Sequence, residues 1–362
     1  MSSPEHIFVA LSGGVDSAVA ALLLKEEGRR VSALFMKNWE EDDEGAWCAA
    51  AEDLEDARDV CERLDIPLHT VNFSYEYWER VFTRFLSEYR AGRTPNPDVL
   101  CNREVKFSVF AEHAKDLGAT RIATGHYART KRRAGTWRLL KGIDEHKDQS
   151  YFLHRLTQSQ LANSLFPVGE MRKAEVRAVA REAGLPGSGK KDSTGICFIG
   201  ERPFRRFLER YVDPAPGPIV GPEGERIGSH DGLAYYTIGQ RQGLRIGGRA
   251  DGNGNPWYVC GKDLENNRLR VVQGREHPAL HCRELTTGPA HWIAGGPPSL
   301  PFGCRARIRH RQPDQPCTVR RAEGGGLRVC FEEAQWAAAP GQSIVFYRGE
   351  DCLGGADIES AA

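Results

Sequence analysis

The hydrophobic positions of the first half of the chain fall into short runs separated by stretches of helix-forming residues. Ile7, Phe8, Val9, Ala10 and Leu11 are a continuous apolar run, which predicts a buried strand, and residues 18–25 are dense in strong helix formers. The alternation continues. Strands are predicted over 31–36, 68–73 and 121–125, and helices over 49–64, 75–89, 102–117 and 172–183, the last stopped by Gly184 and Pro186. Within 102–117, Phe107, Phe110, Ala111 and Ala114 share one helical face. Strands that alternate with helices predict an α/β unit with a largely parallel sheet. After about Gly200 the pattern changes: 214–256 is dense in glycine and proline with short β-like pieces such as 233–238, which predicts a small, mainly β domain. From Cys282 onward, alternating runs at 318–321, 326–331 and 342–347 predict a β-barrel. The boundaries are expected at 1–199, 200–277 and 278–362, and no internal repeat is visible.

The first strand runs into LSGGVDS, residues 11–17, and then into a helix. A strand, a tight loop and a helix N-terminus present free backbone N–H groups and the positive end of a helix dipole, which suits phosphate oxygens. Gly13 and Gly14 allow close backbone approach, and Ser12 and Ser17 add hydroxyl donors. Asp16 would repel phosphate unless a divalent cation lay between them, so the loop points to a nucleotide with Mg2+. The G-x-x-x-x-G-K-[ST] pattern fails for want of a lysine, and G-x-G-x-x-G fails on spacing.

SGGVDS directly after the first strand resembles the pyrophosphate-loop ATPases, which cleave ATP between the α and β phosphates and pass AMP to an oxygen. Six further motifs narrow the likeness: NPDVLCNREVKF (96–107), TGHYA (124–128), KDQSYFL (147–153), DSTGICFIG (192–200), TIGQRQGL (237–244) and RHRQPD (309–314). Together, from about residue 5 to about 358, they resemble the tRNA-specific 2-thiouridylase family. The resemblance implies a Rossmann-like pyrophosphate-loop domain, a small central domain and a C-terminal β-barrel, with adenylation of the uridine C2 oxygen followed by sulfur transfer to the wobble uridine of tRNA. It implies ATP contacts at Ala10, Leu11, Ser12, Gly13, Gly14, Val15, Asp16, Ser17, Met36 and Gly125. It places Asn96, Pro97 and Asp98 against the uridine, and tRNA on His126, Lys147, Asp148, Gln149, Arg309, His310 and Gln342.

The chemistry requires two thiols. Sulfur arrives as a cysteine persulfide, and a second thiol releases it by thiol–disulfide exchange. Cys101 follows Asn96-Pro97-Asp98 and precedes Asn102, read as the N-cap of the next helix; a thiol beside a helix N-terminus has a lowered pKa. Cys197 lies in a polar, glycine-containing loop near the first domain boundary. By resemblance Cys101 is the nucleophile, Cys197 carries the persulfide, and the two form a transient disulfide. Asp98 is placed to act as general acid or base, or to serve only a turn. The other eight cysteines, with no C-x-x-C pair, read as reduced structural thiols.

Charge adds one feature. With 49 basic and 49 acidic side chains, RNA contact must come from a local patch. In CRARIRHR (304–311) arginines 305, 307, 309 and 311 recur at the strand period, which predicts a cationic stripe on one face for a phosphate backbone. His310 falls on the opposite face, so a bulge or strand end is implied there. No apolar run approaches the roughly 20 residues of a membrane span, and strand-like sequence begins by Ile7, so a cytoplasmic protein without a leader is expected. A sulfur-donor or cysteine-desulfurase relay protein is the expected partner besides tRNA. The alternatives are another pyrophosphate-loop ligase or amidotransferase, which needs neither cysteine, and a catalytically inactive RNA-binding relative.

Overall fold

The computed structural model describes residues 5–40, 49–190, 204–247 and 254–361. Its first unit is a parallel five-stranded sheet in the order Leu68–Asn72, Arg30–Lys37, His6–Ala10, Arg121–Ala123, Ser164–Leu165. Helix Val15–Glu26 packs between this sheet and helix Lys173–Glu182, which is why Val15, Ala18, Val19, Ala20, Ala21 and Leu24 are all buried. The predicted helix over 49–64 is present as Ala49–Leu64. The two helices expected at 75–89 and 102–117 each contain a stretch of wider, i to i+5 turns. The first is built from Ser74–Tyr77, Trp78–Phe82 and Thr83–Arg90, the second from Pro97–Cys101, Asn102–Val109 and Phe110–Asp116.

The second of these corrects the expected helix start. Asn102 is not an N-cap: helix begins at Pro97, where the missing N–H costs nothing and the fixed φ suits the first turn, and the extended residue before it is Asn96. The strand expected at 233–238 is also absent. Leu233–Tyr235 is a single 3-10 turn with Leu233 and Tyr235 buried, and the strands of this unit form a four-stranded sheet ordered Trp257–Asp263, Arg268–Gln273, Gly217–Val220, Arg226–His230.

The last unit is a closed six-stranded barrel. Its strands run in the order His281–Thr287, Leu327–Trp336, Gln315–Arg321, Phe302–Arg307, Ser343–Arg348, Asp351–Ala361, and Leu285 pairs with Ala361 to close the ring. Leu285, Phe302, Ala306, Val319, Val329, Phe346 and Ile358 fill it. A hairpin from the first unit, Ala128–Arg133 with Thr136–Lys141, extends this sheet, since Leu139 and Leu140 pair with Cys352 and Asp351. The units also share a core: one apolar cluster runs from Phe82, Phe85 and Tyr89 through Phe207, Leu208 and Tyr235 to Val345 and Tyr347. No described helix is long and apolar enough to cross a membrane.

Candidate nucleotide and thiol site

Strand His6–Ala10 lies between a neighbour that follows it in the chain and one that comes much later, Arg121–Ala123. The connections leave in opposite directions there, and ligands of open parallel sheets bind in the crevice beyond the strand ends at such a point. Loop 11–14 and Thr124-Gly125-His126 occupy its two sides. Gly13 has φ +72° and a Cβ there would lie 2.6 Å from the Asp53 carbonyl oxygen; at Gly125 a Cβ would lie 2.6 Å from the Ser17 nitrogen. Both glycines are therefore required by contact. Ser17 Oγ donates to the Gly14 carbonyl (2.9 Å) and accepts from the Ser12 N–H (3.2 Å), which folds the loop back on the helix start. Ser12 is exposed, its hydroxyl 3.3 Å from that of Ser17, and Gly14 leaves the helix N-terminus without a side-chain cap. The arrangement is an anion cradle without a side-chain cap and with one exposed hydroxyl at its lip.

Asp16 differs from its expected role. Both of its carboxylate oxygens accept from Lys173 Nζ (2.7 and 2.8 Å), and one also accepts from the Tyr127 hydroxyl (2.7 Å). Lys173 is the first residue of its helix and its side chain is largely buried. The loop thus has a lysine after all, supplied by a segment 157 residues away, and no spacing rule announces it. Among the described residues no three His, Cys, Asp or Glu side chains converge to hold a metal ion. Lys173 and Tyr127 thus occupy three of the roughly four acceptor positions of the Asp16 carboxylate. Asp53, pressed against Gly13, has its pKa raised by burial. Val15 is buried, and Ala10 and Met36 are half-buried at the ends of the first two strands.

Cys101 ends the first turns of the helix that starts at Pro97, 1% exposed, while Asp98 and Asn96 are half-buried and Pro97 is buried. Asn102 donates to the Phe152 carbonyl (3.3 Å). Phe107, on the same helical run, packs on the imidazole of His126 (5.8 Å between centroids), so the cysteine-bearing helix touches the residue that follows Gly125. His126 has Nδ1 2.8 Å from the Thr124 hydroxyl, and burial, with the nearby Lys106 charge second, holds its pKa well below the ordinary value. The imidazole is neutral at pH 7. Cys197 lies within 191–203, outside the described residues.

The residues assigned to tRNA are only partly at the surface. Asp148 is 2% exposed; its carboxylate accepts from Arg307 (2.9 Å), the Ser150 hydroxyl (3.0 Å) and the backbone N–H groups of Gly142 and Ser150. Its carbonyl accepts from His310 Nε2 (2.8 Å). Gln149 accepts from the Tyr127 N–H (2.9 Å), and Lys147 is half-buried beside it. Gln342 donates to the Thr94 carbonyl (2.8 Å).

The predicted arginine stripe is overturned. The strand ends at Arg307, so the period of two stops there. Arg307 is buried between Asp148 and Asp314, the second of which also pairs with Lys141. Arg309 donates to the carbonyls of Ile238 (3.1 Å) and Ala337 (2.8 Å) and lies over the Trp336 ring. Only Arg305 and Arg311 are exposed. A guanidinium beside a carboxylate or an orphaned carbonyl is worth more to the fold than a solvated one, and those partners come from distant segments.

Comparison with known proteins agrees with this architecture. Residues 5–201 match the family described as "tRNA methyl transferase HUP domain", 205–273 the "tRNA methyl transferase PRC-barrel domain" and 282–358 the "Aminomethyltransferase beta-barrel domain". The chain is 55% identical to the tRNA-specific 2-thiouridylase MnmA of Burkholderia multivorans, over 99% of this chain and 94% of that one. It is 56% identical to the protein of the same name from Paracidovorax citrulli, over 99% and 97%. Among solved structures it is similar to a 4-thiouridine synthetase–RNA complex with bound ATP at 19% identity and TM-score 0.35, over 57% of this chain and 49% of that one. The chain belongs to the tRNA-specific 2-thiouridylase family.

Proposed function

We propose that the protein is an ATP-dependent tRNA-uridine 2-sulfurtransferase acting on the wobble uridine. The observation that carries this is the bridge formed by Gly125 and His126: one touches the phosphate cradle, the other the helix that bears Cys101. Activation and sulfur delivery then meet in one crevice. A methyl-transfer reading fits the loop less well, because a sulfonium methyl donor has no pyrophosphate to cradle. The pyrophosphate-loop ligase alternative leaves Cys101 without a task.

In this reading the cradle of Ser12, Gly13, Gly14 and Ser17 holds the β and γ phosphates of ATP, with Ala10, Leu11, Val15, Met36 and Gly125 around the nucleoside. The uridine C2 oxygen attacks the α phosphorus and pyrophosphate leaves. The terminal sulfur of a Cys197 persulfide attacks C2, and AMP departs with the former uridine oxygen. Cys101 then attacks the Cys197 sulfur, so that C2 keeps the sulfur and a Cys101–Cys197 disulfide remains, to be reduced by external thiol before the next turnover. Asn96, Pro97 and Asp98 hold the base, with Asp98 moving a proton. Because Asp16 is taken by Lys173 and Tyr127, it serves the cradle as an anchor for that cation; any Mg2+ enters with the nucleotide. A Cys101 thiol that is 1% exposed fits a site completed when tRNA binds. The sulfur is supplied by a persulfide-relay protein, and the compartment is the cytoplasm. In this reading 1–199, 200–277 and 278–362 act as the functional units, with hairpin 128–141 lent to the barrel sheet.

Nucleoside analysis of tRNA incubated with protein, ATP and a persulfide donor tests this. The expected product is 2-thiouridine, absent when either Cys101 or Cys197 is serine. In the Cys101→Ser protein a sulfur adduct of about 32 Da should sit on Cys197; an adduct on Cys101 of the Cys197→Ser protein would reverse the roles.

A further inference from the structure

The short strap 92–95 joins helix Thr83–Arg90 to the helical run that starts at Pro97 and carries Cys101. It has no regular structure of its own, yet nearly every polar group in it is held from outside. From the central domain, Lys262 Nζ donates to the Gly92 carbonyl (2.8 Å) and the Thr237 hydroxyl is 2.8 Å from that of Thr94. From the barrel, the Pro340 carbonyl accepts from the Thr94 N–H (2.8 Å), and Gln342 donates to the Thr94 carbonyl (2.8 Å) and, more loosely, to that of Pro95 (3.4 Å). A Cβ on Gly341 would lie 2.9 Å from the Thr94 nitrogen, so the barrel chain passes in direct contact. Thr237 opens the TIGQRQGL motif, for which the chemistry above has no use, and its neighbours are themselves sewn to the barrel: Ile238 through Arg309, Gly239 against Trp336.

We propose that Thr237, Lys262 and Gln342 are positioning residues for sulfur transfer, fixing through strap 92–95 the place of Asn96, Pro97, Asp98 and Cys101; this rests on the thiolation reading above. The strap is where two domains that carry no reacting group touch the segment that does. The Gln342 amide nitrogen is committed to the Thr94 and Pro95 carbonyls, so that nitrogen acts through the strap. Reacting groups displaced by about 1 Å lose up to about 100-fold in rate, and each clamp removed frees the strap from one side only.

The test uses the full chain with the Thr237→Val and Lys262→Met substitutions, and Thr237→Ser and Lys262→Arg as conservative partners. Single-turnover thiolation at saturating tRNA should fall about 10- to 100-fold in the first pair, with the tRNA Kd within about two-fold of the parent, and Ser and Arg should recover most of the rate. A weakened Kd with an unchanged saturating rate would make these residues RNA contacts and overturn the proposal; so would an unchanged rate. Hydrogen–deuterium exchange of the peptide spanning 91–100 gives a readout that needs no activity: exchange must rise in Thr237→Val and return in Thr237→Ser, and unaltered exchange would sink the clamp. Should the parent protein make no 2-thiouridine, the thiolation reading fails while the exchange measurement still judges the strap.

Discussion

The phosphate cradle and the arginine run of the barrel were both read from short patterns, and the structure treats them differently. The cradle is local. Ser12, Ser17 and Gly14 bond to one another within a six-residue span, so the sequence that names the loop also contains the partners that shape it. The arginine run is not. Arg307 finds Asp148 across 159 positions, and Arg309 finds Ile238 across 71. A motif made of its own hydrogen bonds can be recognised in place, whereas a row of identical charges says nothing about what will face it once the chain closes.

Four outcomes would break or sharpen that contrast, the largest first. At the cradle, Gly125→Ala forces a Cβ into the Ser17 backbone, and Asp16→Ala removes the carboxylate that accepts from Lys173 Nζ. Each should cut ATP-dependent pyrophosphate release by about 100- to 1,000-fold, the scale of losing an electrostatic transition-state contact, with tRNA binding nearly unchanged. Normal release in Gly125→Ala would mean the cradle lies elsewhere.

At the barrel, Arg307→Ala leaves Asp148 as a buried carboxylate without its cation. Denaturant unfolding should show a loss of about 3–5 kcal/mol, and the salt dependence of tRNA affinity should keep its slope. A flattened slope with full stability would restore the cationic stripe.

Acid should loosen the same junction. His154 is fully buried, donates from Nδ1 to the Tyr151 carbonyl, and lies where a Cβ on Gly355 would be 2.6 Å from its ring. Burial, with the Arg155 charge second, pushes its pKa down from 6.5 to about 3. The unfolded chain takes up this proton first as pH falls. The contribution is therefore fully present above about pH 6.5 and is lost below it, at up to about 1.4 kcal/mol per unit, as pH falls toward 3. Unfolding midpoints at pH 7.5 and 5.5 should lie closer together in His154→Leu than in the parent; equal slopes in parent and variant would exclude His154 as a source.

The smallest effect belongs to the two arginines that remain outside. Arg305→Ala with Arg311→Ala should flatten the plot of log affinity against log salt by roughly 0.7 to 0.9 per lost phosphate contact, and no change would mean the exposed pair is merely solvated.

The same distinction explains what else was legible. The parallel sheet follows from apolar runs such as Ile7 to Leu11, because a strand covered on both faces must be apolar throughout. Hairpin Ala128–Arg133 with Thr136–Lys141 lacks a clear strand pattern in the sequence, although Ala134 and Gly135, both at positive φ, form its two-residue turn. Its outer strand carries Arg129, Lys131, Arg132 and Arg133, and edge charge masks the alternation. Asn102 falls inside the helix and not at its cap because proline is tolerated in a first turn, so the helix opens at Pro97. Lys173 had no local signal at all: its meaning is the carboxylate it reaches.

The central claim is that the cradle activates the uridine C2 oxygen, and an isotope follows that oxygen directly. With tRNA carrying oxygen-18 at C2 of the wobble uridine, the account predicts that each 2-thiouridine formed releases one pyrophosphate and one AMP that has acquired the label in its phosphate. Unlabelled AMP, or ADP and phosphate in its place, would contradict it.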